Sequence, residues 1–209
     1  MKQTGYHNPG HGRMTLPWRS LTLAGLALAL YMMLGPAPEL LVLDRSGIAA
    51  GEWWRLFTGH WVHSDSQHLL MDTAGLFILG LLFEKVSPWR FLILLTGSAL
   101  SLDLLLWLNL PWIEAYCGLS GLLNAMLSAG MLLMWRKTGD WIYPLIWTIA
   151  AVKILVELYL GQAVFSETLW PSVPEAHAYG LLTGALLGSA LFVPTQTFSA
   201  ESPVSLRGL

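Results

Sequence analysis

The segment YCGLSGLLNAM, residues 116–126, sets Ser120 between Gly118 and Gly121 at the start of an uncharged apolar run. A serine hydroxyl is a weak nucleophile until a base takes its proton, and histidine is the side chain best matched to that task near neutral pH. His177 opens another apolar run, AHAYGLLTGALLG at 176–188, and supplies such a base. A lone serine in an apolar helix ordinarily bonds its own backbone and helps helices pack, whereas an ionisable group there is costly and usually faces a cavity. The two together point to nucleophilic catalysis. Gly118 and Gly121 allow close backbone approach, and a helix beginning at Ser120 would offer free N–H groups to a developing oxyanion. Gly180, Gly184 and Gly188 follow His177 on one helical stripe, which predicts tight packing against a neighbouring helix.

The elements that must position these groups lie in a membrane. Of 209 residues 55% are hydrophobic and 11% charged, with a mean hydropathy of +0.56, a balance too apolar for a soluble domain of this length. Net charge is 11 − 13 = −2, so nothing suggests nucleic acid as a partner, and the single Cys117 excludes an intrachain disulfide. Six apolar segments, compared with the ~20 residues that cross the hydrocarbon layer, predict an all-α polytopic protein. They run from 20 to 37, 68 to 83, 91 to 113, 115 to 135, 141 to 160 and 176 to 193. The expected division is a short cytoplasmic tail at 1–19, one six-helix domain at 20–193 and a second cytoplasmic tail at 194–209. With the N-terminus inside, Lys2, Arg13, Arg19, Lys85, Arg90, Arg136, Lys137 and Arg207 fall on the inner side and only Arg45 and Arg55 outside, as the positive-inside rule favours. Loops 36–67, 108–117 and 161–175 then face outward, and His68, Ser120 and His177 each open a helix at the same outer level.

These residues resemble the rhomboid intramembrane serine proteases over nearly the whole chain. The resemblance is carried by EWWRLFTGHWVH in the first outer loop, HLLMD opening the second helix, GLLFEK closing it, GLSG opening the fourth and AHAYGLLTGALLG in the sixth. It implies that Ser120 is the nucleophile and His177 the base, a dyad without a third carboxylate, and that His68 belongs to the oxyanion hole. It also implies that Trp54 and Arg55 anchor the outer loop at the interface and that Glu84 caps a structural network. Within the family the chain looks most like the rhombosortases. The implied activity is endoproteolysis of a membrane-anchored substrate near the outer face of a bacterial inner membrane, without a cofactor. The substrates so implied are secreted proteins ending in a Gly-Gly segment, a single membrane helix and a basic tail, reached through the lipid.

Two positions depart from the family pattern. Asp72 stands where an asparagine is usual, four residues after His68. An ionised carboxylate only accepts hydrogen bonds, so it is either kept neutral by desolvation or orients His68 and leaves oxyanion stabilisation to His68 and the Ser120 N–H. Asn124 replaces the usual aromatic that packs on the catalytic imidazole, and its amide could orient His177 by a hydrogen bond. Elsewhere, the spacing of His60, His63 and His68 fits no common zinc motif, and His63 reads as a brace for its loop. Lys153 and Glu157 read as an i, i+4 ion pair needing no chemistry. Asp103, near mid-span, must face protein or water. A general rhomboid protease, an inactive rhomboid-like binder of membrane helices and a transporter are the other readings, the last opposed by the lack of a repeat between halves.

Overall fold

The computed structural model describes residues 16–84, 88–164 and 168–191. Most of both tails, Lys85 and the end of the sixth expected span lie outside the described residues. The chain runs α1 (Trp18–Leu34), β1 (Leu43–Asp44), α2 (Arg45–Ala49), α3 (Arg55–Thr58), a 3-10 turn (Gly59–Trp61), α4 (Ser66–Phe83), α5 (Pro88–Asn109), β2 (Ala115–Tyr116), α6 (Ser120–Thr138), α7 (Ile142–Leu160) and α8 (Pro174–Leu191). Among the described residues, Ser66–Phe83, Trp89–Asn109 and Ile142–Leu160 are long and apolar enough to cross a membrane, and Trp18–Leu34 is apolar but shorter. α6 and α8 are 19 and 18 residues long. They are diluted in apolar character by Asn124, Arg136 and Lys137, and by Glu175 and His177.

The fourth apolar segment differs from expectation at its start. Residues 115 and 116 are extended, not helical, and pair antiparallel with β1 in the register Leu43↔Tyr116 and Asp44↔Ala115. An uncharged run carries no period that separates a buried strand from a buried helix, so hydropathy alone misplaces this boundary.

α6 and α8 form the centre of the molecule, and their approach is made possible by missing side chains. A Cβ on Gly180 would collide with the Gly121 carbonyl, one on Gly184 with the Ala125 carbonyl, and one on Gly188 would stand 2.8 Å from the Ala129 Cα. The stripe read from sequence therefore meets a matching row on α6 at 121, 125 and 129. Such small-on-small contacts associate helices where lipid supplies no hydrophobic drive. α7 packs on this pair at a few points, including a 2.8 Å bond from the Trp147 indole to Ser128 Oγ. It leaves Ile149, Val152, Leu155 and Tyr159 exposed, a face suited to lipid.

The remaining helices are tied by buried polar groups. Glu84, at the end of α4, accepts the Arg19 N–H at 2.8 Å and both the Ser20 N–H and hydroxyl at 3.0 Å, so one carboxylate caps the free donors at the start of α1. The Arg45 guanidinium donates to the carbonyls of Leu106, Leu110 and Ile113 and closes the end of α5. Arg55 is buried and bonds Glu52 and the carbonyls of Glu39 and Val42, so it braces the loop from within, while the half-exposed Trp54 donates to the Leu40 carbonyl.

The crossing predicts a contrast between glycines. Gly184→Ala should cost about 1–3 kcal/mol, the usual penalty for overpacking, whereas Gly25→Ala in α1, with nothing within 4 Å of its Cβ, should be neutral or stabilising. Thermal denaturation in detergent measures both, and equal effects would contradict the packing argument.

Candidate active site

Ser120 is the first residue of α6, and the segment leading to it is pinned on several sides. β2 is held to β1, the Gly118 N–H donates to the Gly59 carbonyl at 3.0 Å, and the Leu119 N–H donates to Asp72 Oδ2 at 2.6 Å. Gly118 has φ +108°, a conformation L side chains avoid, and a Cβ there would strike the His68 imidazole. The close approach at this glycine is thus by a side chain. At Gly121 a Cβ would run into Leu102 and stand 3.2 Å from the Ala176 carbonyl.

His177 lies in the first turn of α8. Its Nε2 is 3.0 Å from Ser120 Oγ and its Nδ1 is 2.9 Å from Glu157 Oε2 on α7. Two expectations are corrected here. A carboxylate does stand behind the histidine, because Glu157 gives Oε1 to Lys153 at 2.7 Å and still has Oε2 free for a second helix. Asn124 does not orient His177: its amide donates to the Ser120 carbonyl at 2.9 Å, within its own helix, and both imidazole nitrogens already have partners. Asn124 still lines the cleft.

His68 occupies the first turn of α4, with Nδ1 3.1 Å from Ser64 Oγ and Nε2 3.4 Å from Asp72 Oδ2. The same Asp72 oxygen lies 3.1 Å from His63 Nε2, so His63 braces its loop through the carboxylate below His68. His60 pairs with Asp103 at 3.0 Å, both buried, which supplies the partner that Asp103 needs in an apolar setting. Ser120, His177, His68, Asp72 and Asn124 border one cleft of about 260 Å³, which residues 170–173 also line.

Three further residues shape this cleft. Tyr116, at its wall, is buried, and its hydroxyl lies 3.4 Å from the Gly118 carbonyl. Burial, with the nearby Asp72 charge, pushes the Cys117 thiol up to about 12, so it is not a competing nucleophile near neutrality. Asp65 caps α4, accepting the His68 N–H at 2.9 Å, and also takes the Ser64 hydroxyl at 2.7 Å and the Leu169 N–H at 2.8 Å. It thereby fastens the loop over the cleft to the helix carrying His68. The signal for it was in the sequence, since an aspartate directly before an apolar helical run is a favoured N-cap.

The rhomboid domain model matches residues 50–194. The chain therefore belongs to the rhomboid family of intramembrane proteases, which are serine proteases acting on membrane proteins. It is similar to Rhomboid protease GluP of Bacillus subtilis (strain 168), 28% identical over 152 residues that cover 72% of this chain and 28% of that protein. It is also similar to two Arabidopsis thaliana proteins. RHOMBOID-like protein 4 is 30% identical over 158 residues, 72% of this chain and 37% of the relative. Inactive RHOMBOID-like protein 8 is 33% identical over 111 residues, 50% and 31%. The chain spans about a third of the length of these three relatives.

Asp65 gives a pH prediction. Burial opposes its charge, but the three hydrogen bonds outweigh this and hold its carboxyl below the ordinary value. A depressed folded-state pKa stabilises fully above the unfolded value, near 3.9, and the contribution is lost as pH falls toward the folded one. Melting curves of wild type and Asp65→Asn should differ at neutral pH and converge on acidification; curves that stay parallel would contradict this.

Proposed function

We propose that this protein is an intramembrane serine endopeptidase in which Ser120 is the nucleophile and His177 its general base. The observation that carries the reading is the 3.0 Å contact between Ser120 Oγ and His177 Nε2 at the wall of a cleft. As Oγ bonds to the scissile carbonyl carbon its proton passes to Nε2, and His177 then returns that proton to the leaving amine. Water entering the cleft hydrolyses the acyl-enzyme with the histidine acting as base again. The negative oxygen of the intermediate is met by the Ser120 N–H and by His68. The Ser64 hydroxyl donates to Asp65, so His68 Nδ1–H donates to Ser64 Oγ, and Nε2, whose 3.4 Å contact with Asp72 is long, donates to the oxyanion in the doubly protonated form of the ring. Asp72 is engaged as an acceptor by Leu119 and His63, which supports its role as an orienting anion and not as a neutral donor.

In this reading the protein has six membrane spans, with α1, α6 and α8 joining the three that length and composition already allow, and a single domain over 20–193. Both termini are cytoplasmic, and the cleft opens toward the outer face of a bacterial inner membrane. A substrate helix must unwind locally, because an intact helix keeps its carbonyls in its own hydrogen bonds, so glycine-containing sites are favoured. Proteins ending in a Gly-Gly segment, one membrane helix and a basic tail fit this requirement, which makes the rhombosortase subtype the substrate reading.

Ser120→Ala and His177→Ala should each abolish turnover of a Gly-Gly tail reporter while the protein still inserts and melts normally. Undiminished cleavage by either variant would overturn the assignment and favour an inactive helix-binding protein. Cleavage of a generic single-span reporter but not the Gly-Gly one would remove the rhombosortase reading. Asp72→Asn should keep or raise activity, whereas Asp72→Ala should lower it by roughly 10²–10³, the range for one lost oxyanion contact. An Asn variant that is folded but dead would show that the carboxylate does chemistry of its own. A reporter inserted near Asn109 should be external and one after Leu209 cytoplasmic; the reverse would sink the secretory-substrate idea.

A further inference from the structure

Glu157 is fully buried at the end of α7, in a segment whose other side chains mostly face outward. Its partners divide between its two oxygens. Oε1 receives the Lys153 ammonium at 2.7 Å and the Val164 N–H at 3.1 Å, while Oε2 is directed at His177 Nδ1, 2.9 Å away. A pair serving only to lower the cost of two charges in lipid would be complete with Lys153 alone. The second oxygen instead meets the imidazole on the edge opposite Ser120.

We propose that Glu157 is a positioning residue that sets the tautomer and ring orientation of His177, making the working unit Ser120–His177–Glu157 with Lys153 holding the carboxylate in place. The inference rests on the assignment of Ser120 and His177 above and deepens it. A carboxylate can only accept, so the hydrogen bond fixes the proton on Nδ1 and leaves the Nε2 lone pair facing the Ser120 hydroxyl, the one arrangement in which neutral His177 takes the serine proton. When that proton arrives, the imidazolium lies against a buried negative charge that needs no reorganisation. Lys153 and the Val164 N–H both donate to Oε1, so they also dictate what a neutral isostere does. Glutamine at 157 keeps its single carbonyl oxygen toward these two donors and turns its NH2 to His177. That amide donates to Nδ1, moves the imidazole proton to Nε2 and leaves no acceptor for Ser120.

Glu157→Gln should therefore lower kcat by about 10²–10⁴ with KM unchanged, as expected for an interaction that acts on the transition state. Glu157→Asp, shorter but still a carboxylate, should retain more activity than the isosteric Gln. A packing role ranks them the other way. The direct readout is nitrogen NMR of 15N-histidine-labelled wild-type protein at about pH 8, above the ordinary imidazole range, with His177 assigned by its loss in His177→Ala. Nδ1 should carry the proton in wild type and Nε2 in Glu157→Gln. A wild-type Nε2–H tautomer, a Gln variant within about threefold of wild-type kcat, or Gln more active than Asp would each overturn the proposal. If Glu157→Gln does not fold, the wild-type spectrum still decides. Should wild type show the Nδ1–H tautomer yet cleave no reporter, the protease reading fails while the positioning contact stands.

Discussion

Direct backbone contact between α6 and α8 is the constraint on which the site depends. Gly180 sits on the Gly121 carbonyl one residue beyond Ser120 and one turn beyond His177, so the contact that brings the helices together is adjacent to both of these side chains. With no hydrophobic gain between helices in lipid, the drive comes from dispersion at close range, which a methyl group in the seam would forfeit. The 3.0 Å separation of Oγ and Nε2 is in this sense a packing distance. Other contacts hold the two helix starts in place. The β1–β2 pair and the Gly118–Gly59 bond fix the entry to α6, and Asp65 fastens the loop before α8 to the start of α4.

The interior repeats one device for making polar groups tolerable in an apolar setting. His60–Asp103, His63–Asp72 and His177–Glu157 each join two separate segments of the chain through a buried imidazole and carboxylate. An isolated charge buried there would cost several kcal/mol or more, and an unpaired imidazole would leave an unmet donor. Pairing them gives each carboxylate a partner through one ring nitrogen and cross-links segments 9, 20 and 43 residues apart. The first two pairs anchor the 60–63 segment to α5 and α4, which places His68 and its neighbours around the cleft. The third reaches the imidazole that touches Ser120.

What the sequence disclosed follows from which signals are local. The helices were legible because lipid demands long apolar runs, and their bounds are within a few residues except at 115–119, where an uncharged run is a strand and a turn. Ser120 and His177 stand out in the sequence as rare polar types at corresponding helix starts beside glycines, and the fold brings them within 3.0 Å of each other. Glu157 was hidden by its own neighbour: Lys153 four residues earlier explained it completely along one helix, and no spacing rule reaches from 157 to 177. Asp103 was recognisable as a residue in need of a partner, but His60 lies 43 residues away with no period linking them. Asn124 turns to its own helix because an amide one turn after Ser120 has that residue's carbonyl closer to hand than any group on the next helix.

The central claim is that helix packing delivers Ser120 to His177 as an activated nucleophile. Its most direct test is to treat purified wild-type protein with a serine-directed fluorophosphonate and map the adduct by tandem mass spectrometry. The account predicts modification on the peptide containing Ser120, with a rate that collapses in His177→Ala and in Gly180→Val, where the seam is forced apart. No adduct at Ser120 in folded wild-type protein, or labelling there that is indifferent to both substitutions, would contradict it.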